Sequence, residues 1–219
     1  MFDLKQGLRP RAVAFAVALA LGLSGCGGGG GSNVRPTAGA GVFAGGAVNV
    51  NSGETTTWSN DVTGHIELRK GGAGTLVLTG TNSYTGGTTI DMGTLQLGNG
   101  GQTGSITGNV VDNGSLVFNR SDDVTFKGYI VGSGTVEKAG KGSLILTGDS
   151  LYSGGTLISN GILQIGDGGV GGSIIGDVLN NGSLVFDRSA DPAQSCIFNG
   201  TISGSGSLLP DGRDKVILV

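Results

Sequence analysis

The sequence has few of the residues that build reactive or cross-linked sites. It contains one histidine and two cysteines among 219 residues. So few soft ligands exclude most histidine and cysteine metal sites, and they exclude a disulfide framework. Only four prolines are present, which excludes a collagen-like chain. The composition therefore predicts no metal and no cofactor.

Charge and aromatic residues are also scarce. Charged residues make up 13% of the chain and aromatic residues 5%, and the formal net charge is −3. A slightly acidic chain is not a basic nucleic-acid binder, so no nucleic-acid partner is expected. Hydrophobic residues reach 37%, which excludes charge-driven disorder.

Glycine is abundant, with 47 residues, about three times ordinary usage. Asn-Gly and Gly-Gly pairs separate short runs rich in Thr, Val, Leu and Ile. Such pairs supply the positive φ angles of tight turns, and β-branched runs favour strands. Because no helical periodicity follows Gly25, the pattern predicts an all-β chain.

The N-terminal segment has the pattern of an export signal. Lys5, Arg9 and Arg11 precede an apolar run over residues 12–23. As a helix this run would measure about 18 Å, well short of a bilayer core of about 30 Å. A charged start followed by a short apolar run is typical of a signal peptide, which we assign to residues 1–25.

The apolar run ends in Leu23, Ser24, Gly25 and Cys26, and this tetrad resembles the lipobox of bacterial lipoproteins. The resemblance implies cleavage before Cys26 and attachment of a diacylglyceryl group to its thiol. Gly27 after the cysteine implies sorting to the outer membrane, whose lipid would be a partner through Cys26. The alternative is an ordinary cleaved signal with an incidental cysteine.

Residues 26–46 are Gly-rich and lack periodicity, so they predict a flexible tether. Twenty such residues have a root-mean-square span of about 25 Å. If Cys26 carries lipid, Cys196 is the remaining cysteine of an exported chain. It is then either a buried or free thiol or half of an intermolecular disulfide.

Residues 47–219 are built from a 68-residue repeat. Leu76 aligns with Leu144 and Phe118 with Phe186, and the register slips by four residues over residues 191–197. The copies cover about residues 70–137 and 138–209, with partial copies on either side. A sandwich has no reason to repeat itself at this period, whereas each coil of a solenoid buries its apolar face on a similar neighbour.

The chain is therefore predicted to form a right-handed parallel β-helix. Its handedness follows the general preference of parallel crossovers. One third of the repeat suggests about 23 residues per coil, and strands stacked about 4.8 Å apart suggest a rod of about 35 Å. Apolar side chains are expected inside as ladders, and the outer face is expected to be polar.

A longer motif occurs at residues 72–90 and again at 140–158. It reads Gly-x-Gly-Thr-Leu-x-Leu-Thr-Gly-x-Asn-x-Tyr-x-Gly-Gly-Thr-Thr-Ile in the first copy. The motif resembles the autotransporter-associated β-strand repeat, also called the passenger-associated transport repeat. Its signature positions here are Gly74, Leu76, Leu78, Tyr84, Gly86, Gly87, Gly142, Leu144, Leu146, Tyr152, Gly154 and Gly155.

The resemblance implies a β-helical passenger segment of an exported Gram-negative surface protein. In that family the segment is a stalk beside the outer-membrane barrel that helps the passenger cross and fold. Neither a barrel nor a protease domain follows the lipobox here, so a shortened relative or remnant is expected. The expected function is a non-enzymatic, lipid-anchored, export-assisting stalk, either displayed on the cell surface or on the periplasmic side of the outer membrane. The alternative function is an adhesin for host cells or glycans.

Catalytic residues are not expected. A serine hydrolase needs a nucleophilic serine beside its histidine, and the sequence contains no Gly-x-Ser-x-Gly motif that would supply one to His65. His65 is instead predicted to occupy an exposed strand position. Residues 166–171 match Gly-x-Gly-x-x-Gly, but no helix follows to hold a phosphate.

Two repeated features leave alternatives open. Residues 119–123 recur at 187–191, either as a turn held by Asp–Arg pairing or as a calcium and polysaccharide site. Tyr84 and Tyr152 either pack in a turn or form a sugar-stacking ladder.

Overall fold

The computed structural model describes residues 47–188, 196–210 and 216–218, all within one unit of the chain. Across these ranges the regular structure is all strand, with no helix. The predicted signal peptide, the lipobox and the tether lie outside the described residues, so their boundaries remain predictions. The strands are β1 (Ala47–Asn49), β2 (Thr55–Trp58), β3 (Leu68–Gly71), β4 (Thr75–Leu78), β5 (Thr88–Ile90), β6 (Thr94–Leu97), β7 (Val110–Asp112), β8 (Ser115–Phe118), β9 (Val124–Phe126), β10 (Ile130–Gly132), β11 (Thr135–Lys138), β12 (Ser143–Leu146), β13 (Leu151–Tyr152), β14 (Thr156–Ile158), β15 (Ile162–Ile165), β16 (Val178–Asn180), β17 (Ser183–Phe186), β18 (Cys196–Phe198), β19 (Ile202–Ser203), β20 (Ser207–Pro210) and β21 (Val216–Leu218).

These strands stack into three long parallel sheets that form the sides of a solenoid. The six-stranded sheet runs β1-β3-β5-β7-β10-β13, the eight-stranded sheet β2-β4-β6-β8-β11-β14-β16-β19, and the five-stranded sheet β9-β12-β15-β17-β20. A fourth pair, β18 with β21, is also parallel. Eight rungs about 4.8 Å apart span about 34 Å. The predicted parallel β-helix and its length are confirmed, while right-handedness stays a prediction.

Each coil in the central part of the solenoid is shorter than predicted. Leu78 pairs with Leu97, Leu97 with Phe118, and Phe118 with Lys138, so three coils carry the chain only from position 78 to position 138. A later coil is longer, since Val178 pairs with Ile202, 24 positions further along the chain. The predicted coil length is wrong because it assumed that one 68-residue repeat is a whole number of coils.

The 68-residue copies therefore do not stack on the same side of the solenoid. Leu76 lies in the eight-stranded sheet, whereas Leu144 lies in the five-stranded sheet. Three coils use 60 of the 68 residues of a repeat, so eight residues remain. Eight residues carry the chain from one sheet to the next, as from Lys138 to Leu146. Each copy is consequently rotated onto the next sheet. The same step relates β3 to β11, β5 to β14, β7 to β16 and β8 to β17.

The inward side chains form one continuous apolar core. Leu76, Leu95, Leu116 and Val136 occupy successive rungs and are fully buried. Their removal from water, at about 25 cal/mol per Å² of apolar surface, is the main stabilising contribution. Two aromatic pairs fill equivalent corners, each with ring centroids 5.7 Å apart: Phe118 with Phe126, and Phe186 with Phe198.

The outer face is less polar than predicted. Val111, Val131 and Leu151 occupy successive outward rungs of the six-stranded sheet, and Leu151 is 60% exposed. Leu157 pairs with Leu179 on the eight-stranded sheet, where Leu179 is 46% exposed. No helix long and apolar enough to cross a membrane occurs in the described ranges.

Candidate functional site

The signature leucines of the repeat belong to the core. Leu76 and Leu78 on β4 and Leu144 and Leu146 on β12 are all buried. Period-two alternation places both leucines of a strand on its inner side, where each packs on the coils before and after it. These leucines therefore hold neighbouring coils together by apolar packing, and none of their side chains is exposed to solvent.

The two signature tyrosines are also interior residues. Tyr84 and Tyr152 are 0% exposed, and each hydroxyl lies 2.7 Å from the Oγ1 atom of the threonine four residues on, Thr88 or Thr156. Burial raises the pKa of both phenols, so they stay neutral. Neither ring is accessible, and the sugar-stacking alternative is wrong.

The signature glycines allow coils to approach closely. A Cβ at Gly74 would meet the Asn51 carbonyl, and one at Gly142 would meet the Asp122 carbonyl. Gly87 has a φ angle of +83°, which glycine adopts without strain, and Gly155 in the second copy is also in the positive-φ region.

The sequence interpretation missed two buried lysines. Lys70 is fully buried, and its Nζ atom donates to the carbonyls of Gly71 at 2.8 Å, Gly72 at 2.7 Å and Met92 at 3.1 Å. Lys138, its counterpart in the second copy, likewise donates to two turn carbonyls. Burial lowers the pKa of both ammonium groups. The alternation of side chains along a strand could have predicted this burial. Each lysine lies two positions after an inward residue, Leu68 or Val136, and therefore on the same inner side of its strand.

Other buried polar side chains satisfy backbone groups between coils. Asn82 accepts from the Val62 N–H at 2.9 Å, and Ser150, its counterpart, accepts from the Ile130 N–H at 3.1 Å. Both side chains are almost completely buried. They connect adjacent coils where the chain leaves regular strand structure.

Asp112 and Asn180 form a further pair of equivalent buried residues. Asp112 Oδ1 accepts from the Gly114 N–H at 3.0 Å, and Asn180 Oδ1 accepts from the Gly182 N–H at 3.1 Å. Burial raises the pKa of the Asp112 carboxyl to about 6, and the N–H groups of Gly114 and Leu116 partly offset this rise. The sequence interpretation singled out neither residue, although both alternate in phase with inward valines.

The repeated Asp–Arg segment joins neighbouring turns through a salt bridge and hydrogen bonds. Arg120 forms a salt bridge with Asp122 at 2.7 Å and donates to the carbonyls of Gln102 and Gly104. The hydrogen bond from Arg120 holds the pKa of Asp122 below its usual value. Arg188, in the second copy, donates to a turn carbonyl at 2.6 Å. These contacts favour the turn-scaffold alternative, and the described residues contain no group of acidic, His or Cys side chains suited to a metal ion.

The remaining candidate positions do not converge. His65 is exposed in a bend rather than in the predicted strand, and its Nδ1 atom lies 2.8 Å from Thr85 Oγ1. Residues 166–171 form a bend after β15, and an isolated bridge at Ser173 and then strand β16 follow, with no helix between. Cys196 lies in β18. The lipobox positions lie outside the described residues: Leu23, Ser24, Gly25 and Cys26.

A shallow groove of about 290 Å³ opens on the eight-stranded sheet. Most of its lining surface is apolar, and the residues that line it are Thr135, Gly154, Gly155, Thr156, Leu157, Asp177, Val178, Leu179 and Ser203.

The family model for the passenger-associated transport repeat matches residues 68–97 and 136–165. The first match covers strands β3 to β6 and the second covers β11 to β15, so both fall on the stacked coils. The chain is a passenger-associated-transport-repeat protein. No solved structure matches it.

This passenger-repeat chain is similar to parts of much longer proteins. It is 38% identical over 173 residues to the Adhesin BmaC autotransporter of Brucella suis biovar 1 (strain 1330), over 69% of this chain and 5% of that protein. It is 32% identical over 131 residues to an Extracellular serine protease of Serratia marcescens, over 58% of this chain and 12% of the relative. The passenger-repeat chain thus spans only a small part of the relatives it matches.

Proposed function

We propose that this chain is a non-enzymatic, export-assisting stalk of an autotransporter-type surface protein. The observation that carries the proposal is that the repeat signature is interior. Leucines, tyrosines and lysines of the repeat contact neighbouring coils, so what the family motif encodes is stacking. The autotransporter relatives support an exported protein at the outer membrane or cell surface of a Gram-negative bacterium.

Export assistance follows from the way the coils stack. Each coil contacts only the coils before and after it, so folding can propagate from one rung to the next. A chain that emerges through a membrane can therefore add coils to a folded end without waiting for distant sequence. Free energy released at each rung would disfavour backward movement of the emerging chain.

The non-enzymatic part of the proposal is testable because a relative is a serine protease. The full chain would be treated with a fluorophosphonate probe, which labels activated serines, and with a His65→Ala variant as control. We expect no labelling of either protein. Labelling that disappears in the His65 variant would contradict the proposal.

We also propose that lipid at Cys26 anchors the stalk. The support is the lipobox formed by Leu23, Ser24, Gly25 and Cys26 after a signal-type apolar run. Cys26→Ser should abolish incorporation of labelled palmitate and release the protein from the membrane fraction. Cys196→Ser is the matched control and should leave both unchanged. Equal labelling of the Cys26 variant would exclude this anchor.

An adhesin is the second candidate, favoured by the BmaC relative and by the outward apolar rungs. The test is binding of the full chain to host cells and to glycan arrays. The stalk proposal expects no saturable binding. Saturable binding that is lost in a Val111→Ser, Leu151→Ser double variant, but kept in Thr89→Ser, would support the adhesin instead.

A further inference from the structure

Asp112 is a fully buried carboxyl group with one oxygen unused. Its Oδ1 atom accepts from Gly114, whereas its Oδ2 atom has no hydrogen-bond partner among the described residues. A buried acceptor left unpaired costs about 1–3 kcal/mol, and an ionised one costs more. This position is therefore unfavourable for a carboxylate.

The second copy shows what the position requires. Asn180 stands at the equivalent place, and its Nδ2 atom donates to the Ser207 carbonyl at 2.9 Å. The surroundings match, because the Gly134 N–H donates to the Asp112 carbonyl and the Gly206 N–H donates to the Asn180 carbonyl, both at 2.8 Å. The residue equivalent to Ser207 is then the threonine directly after Gly134. By this comparison, the atom of Asp112 that corresponds to the donating Nδ2 of Asn180 is Oδ2, and this position requires a hydrogen-bond donor.

We propose that Asp112 is a proton-operated switch of coil stability, in which the protonated Oδ2 donates to the Thr135 carbonyl as the Asn180 amide donates to Ser207. Loss of the proton to solvent removes the donor and leaves a buried negative charge between two coils. The contribution of Asp112 to the stability of the central coils is then larger in acid than at neutral pH.

No charged group faces Asp112 from the neighbouring strands, and the N–H groups of Gly114 and Leu116 offset the cost of its charge only in part. On β5 the paired residue is Ile90, and on β10 Gly132 lies against the Asp112 carbonyl, so neither neighbouring strand brings a charge to this position. Tyr152 lies next to Gly132 on β13 and is neutral. Lys70 is two rungs away, beyond Ile90, and its ammonium group is bound by carbonyls.

The sign of the pH effect follows from the direction of the pKa shift. Folding raises the pKa of Asp112 from 3.8 to about 6, so the native state holds this proton more tightly than the unfolded state. Its contribution to stability is complete below about pH 4 and is lost as the pH rises to about 6. Asp122 and Asp123 oppose this trend, because their pKa values are lowered. The effect of Asp112 must therefore be measured against a variant.

The test is denaturant unfolding of the full chain between pH 4 and pH 8, followed by the fluorescence of the buried Trp58. Asp112→Asn should be more stable than the wild type at pH 8 and equal to it near pH 4. From pH 4 to pH 8, the unfolding constant of the wild type should rise about tenfold to a hundredfold relative to that of the variant. Asn180→Asp is the mirror variant and should acquire a pH dependence of the same sign.

Three results would overturn the proposal. Parallel pH profiles of wild type and Asp112→Asn would show that the carboxyl does not titrate on folding. Failure of Asp112→Asn to fold would show that the position does not accept an amide, in contrast to position 180. A pH-independent Asn180→Asp variant, compared with the wild type, would show that burial at this position does not couple to protonation.

Discussion

At the scale of single residues, polar side chains inside the solenoid act as connections between coils. Lys70 binds three carbonyls, two in its own turn and one on the next coil. Three charge-assisted hydrogen bonds offset the desolvation of the ammonium group, because such bonds are stronger than neutral ones. The Gly71 carbonyl also accepts from the Val50 N–H, so the ammonium group matters most for the carbonyls of Gly72 and Met92.

This role predicts that Lys70→Met destabilises the fold by about 2–4 kcal/mol, although methionine conserves the side chain's volume and removes a buried charge. The loss comes from the carbonyls of Gly72 and Met92, which are left without the ammonium donor. Lys141→Met, at an exposed lysine, is the control and should change stability by less than about 0.5 kcal/mol. Urea unfolding of both variants measures the difference. Equal stability of Lys70→Met and wild type would mean that desolvation cancels the hydrogen bonds.

At the scale of elements, the turns set how closely successive coils can stack. Gly142 precedes β12, and the backbone of the previous coil occupies the place where its Cβ would lie. Stacked parallel strands have one spacing, so a turn that cannot approach its neighbour separates the strands on both sides.

Gly142→Ala should therefore cost about 1–3 kcal/mol through overpacking against the Asp122 carbonyl. Gly101→Ala is the matched control, because the nearest atom to its added Cβ is Asn99 Oδ1 at 3.8 Å. Thermal unfolding followed by circular dichroism should show a lower melting temperature for Gly142→Ala alone. Similar melting temperatures for the two variants would contradict a close approach at this turn.

The sequence predicted the strands and their inward leucines because period-two alternation is a local property. It did not predict that Lys70 and Lys138 would be buried, because lysine is normally a surface residue unless partners are supplied. Those partners are carbonyls of turns, which no side-chain pattern records. The abundance of Thr, Ser, Asn and Asp predicted a polar outer face. The outward side chains of Val111, Val131 and Leu151 are exceptions to this prediction.

At the scale of the whole molecule, two periods combine. The 68-residue repeat is longer than three central coils, which carry the chain only from position 78 to position 138. Successive copies therefore advance both along the axis and around it by one side. A mutation at one motif position thus lies on a different sheet from its equivalent in the next copy, and the two should act additively.

The most direct test of this account is a distance between pairs of spin labels on the outer face, measured by pulsed dipolar spectroscopy. Thr89 and Leu151 lie on one outward ladder of the six-stranded sheet, three rungs or about 14 Å apart. Thr89 and Leu157 are equivalent in the 68-residue repeat but lie on different sheets. We expect the shorter distance for Thr89 with Leu151 and a clearly longer one for Thr89 with Leu157. The opposite order would mean that the copies stack in register, and it would contradict the stepped solenoid.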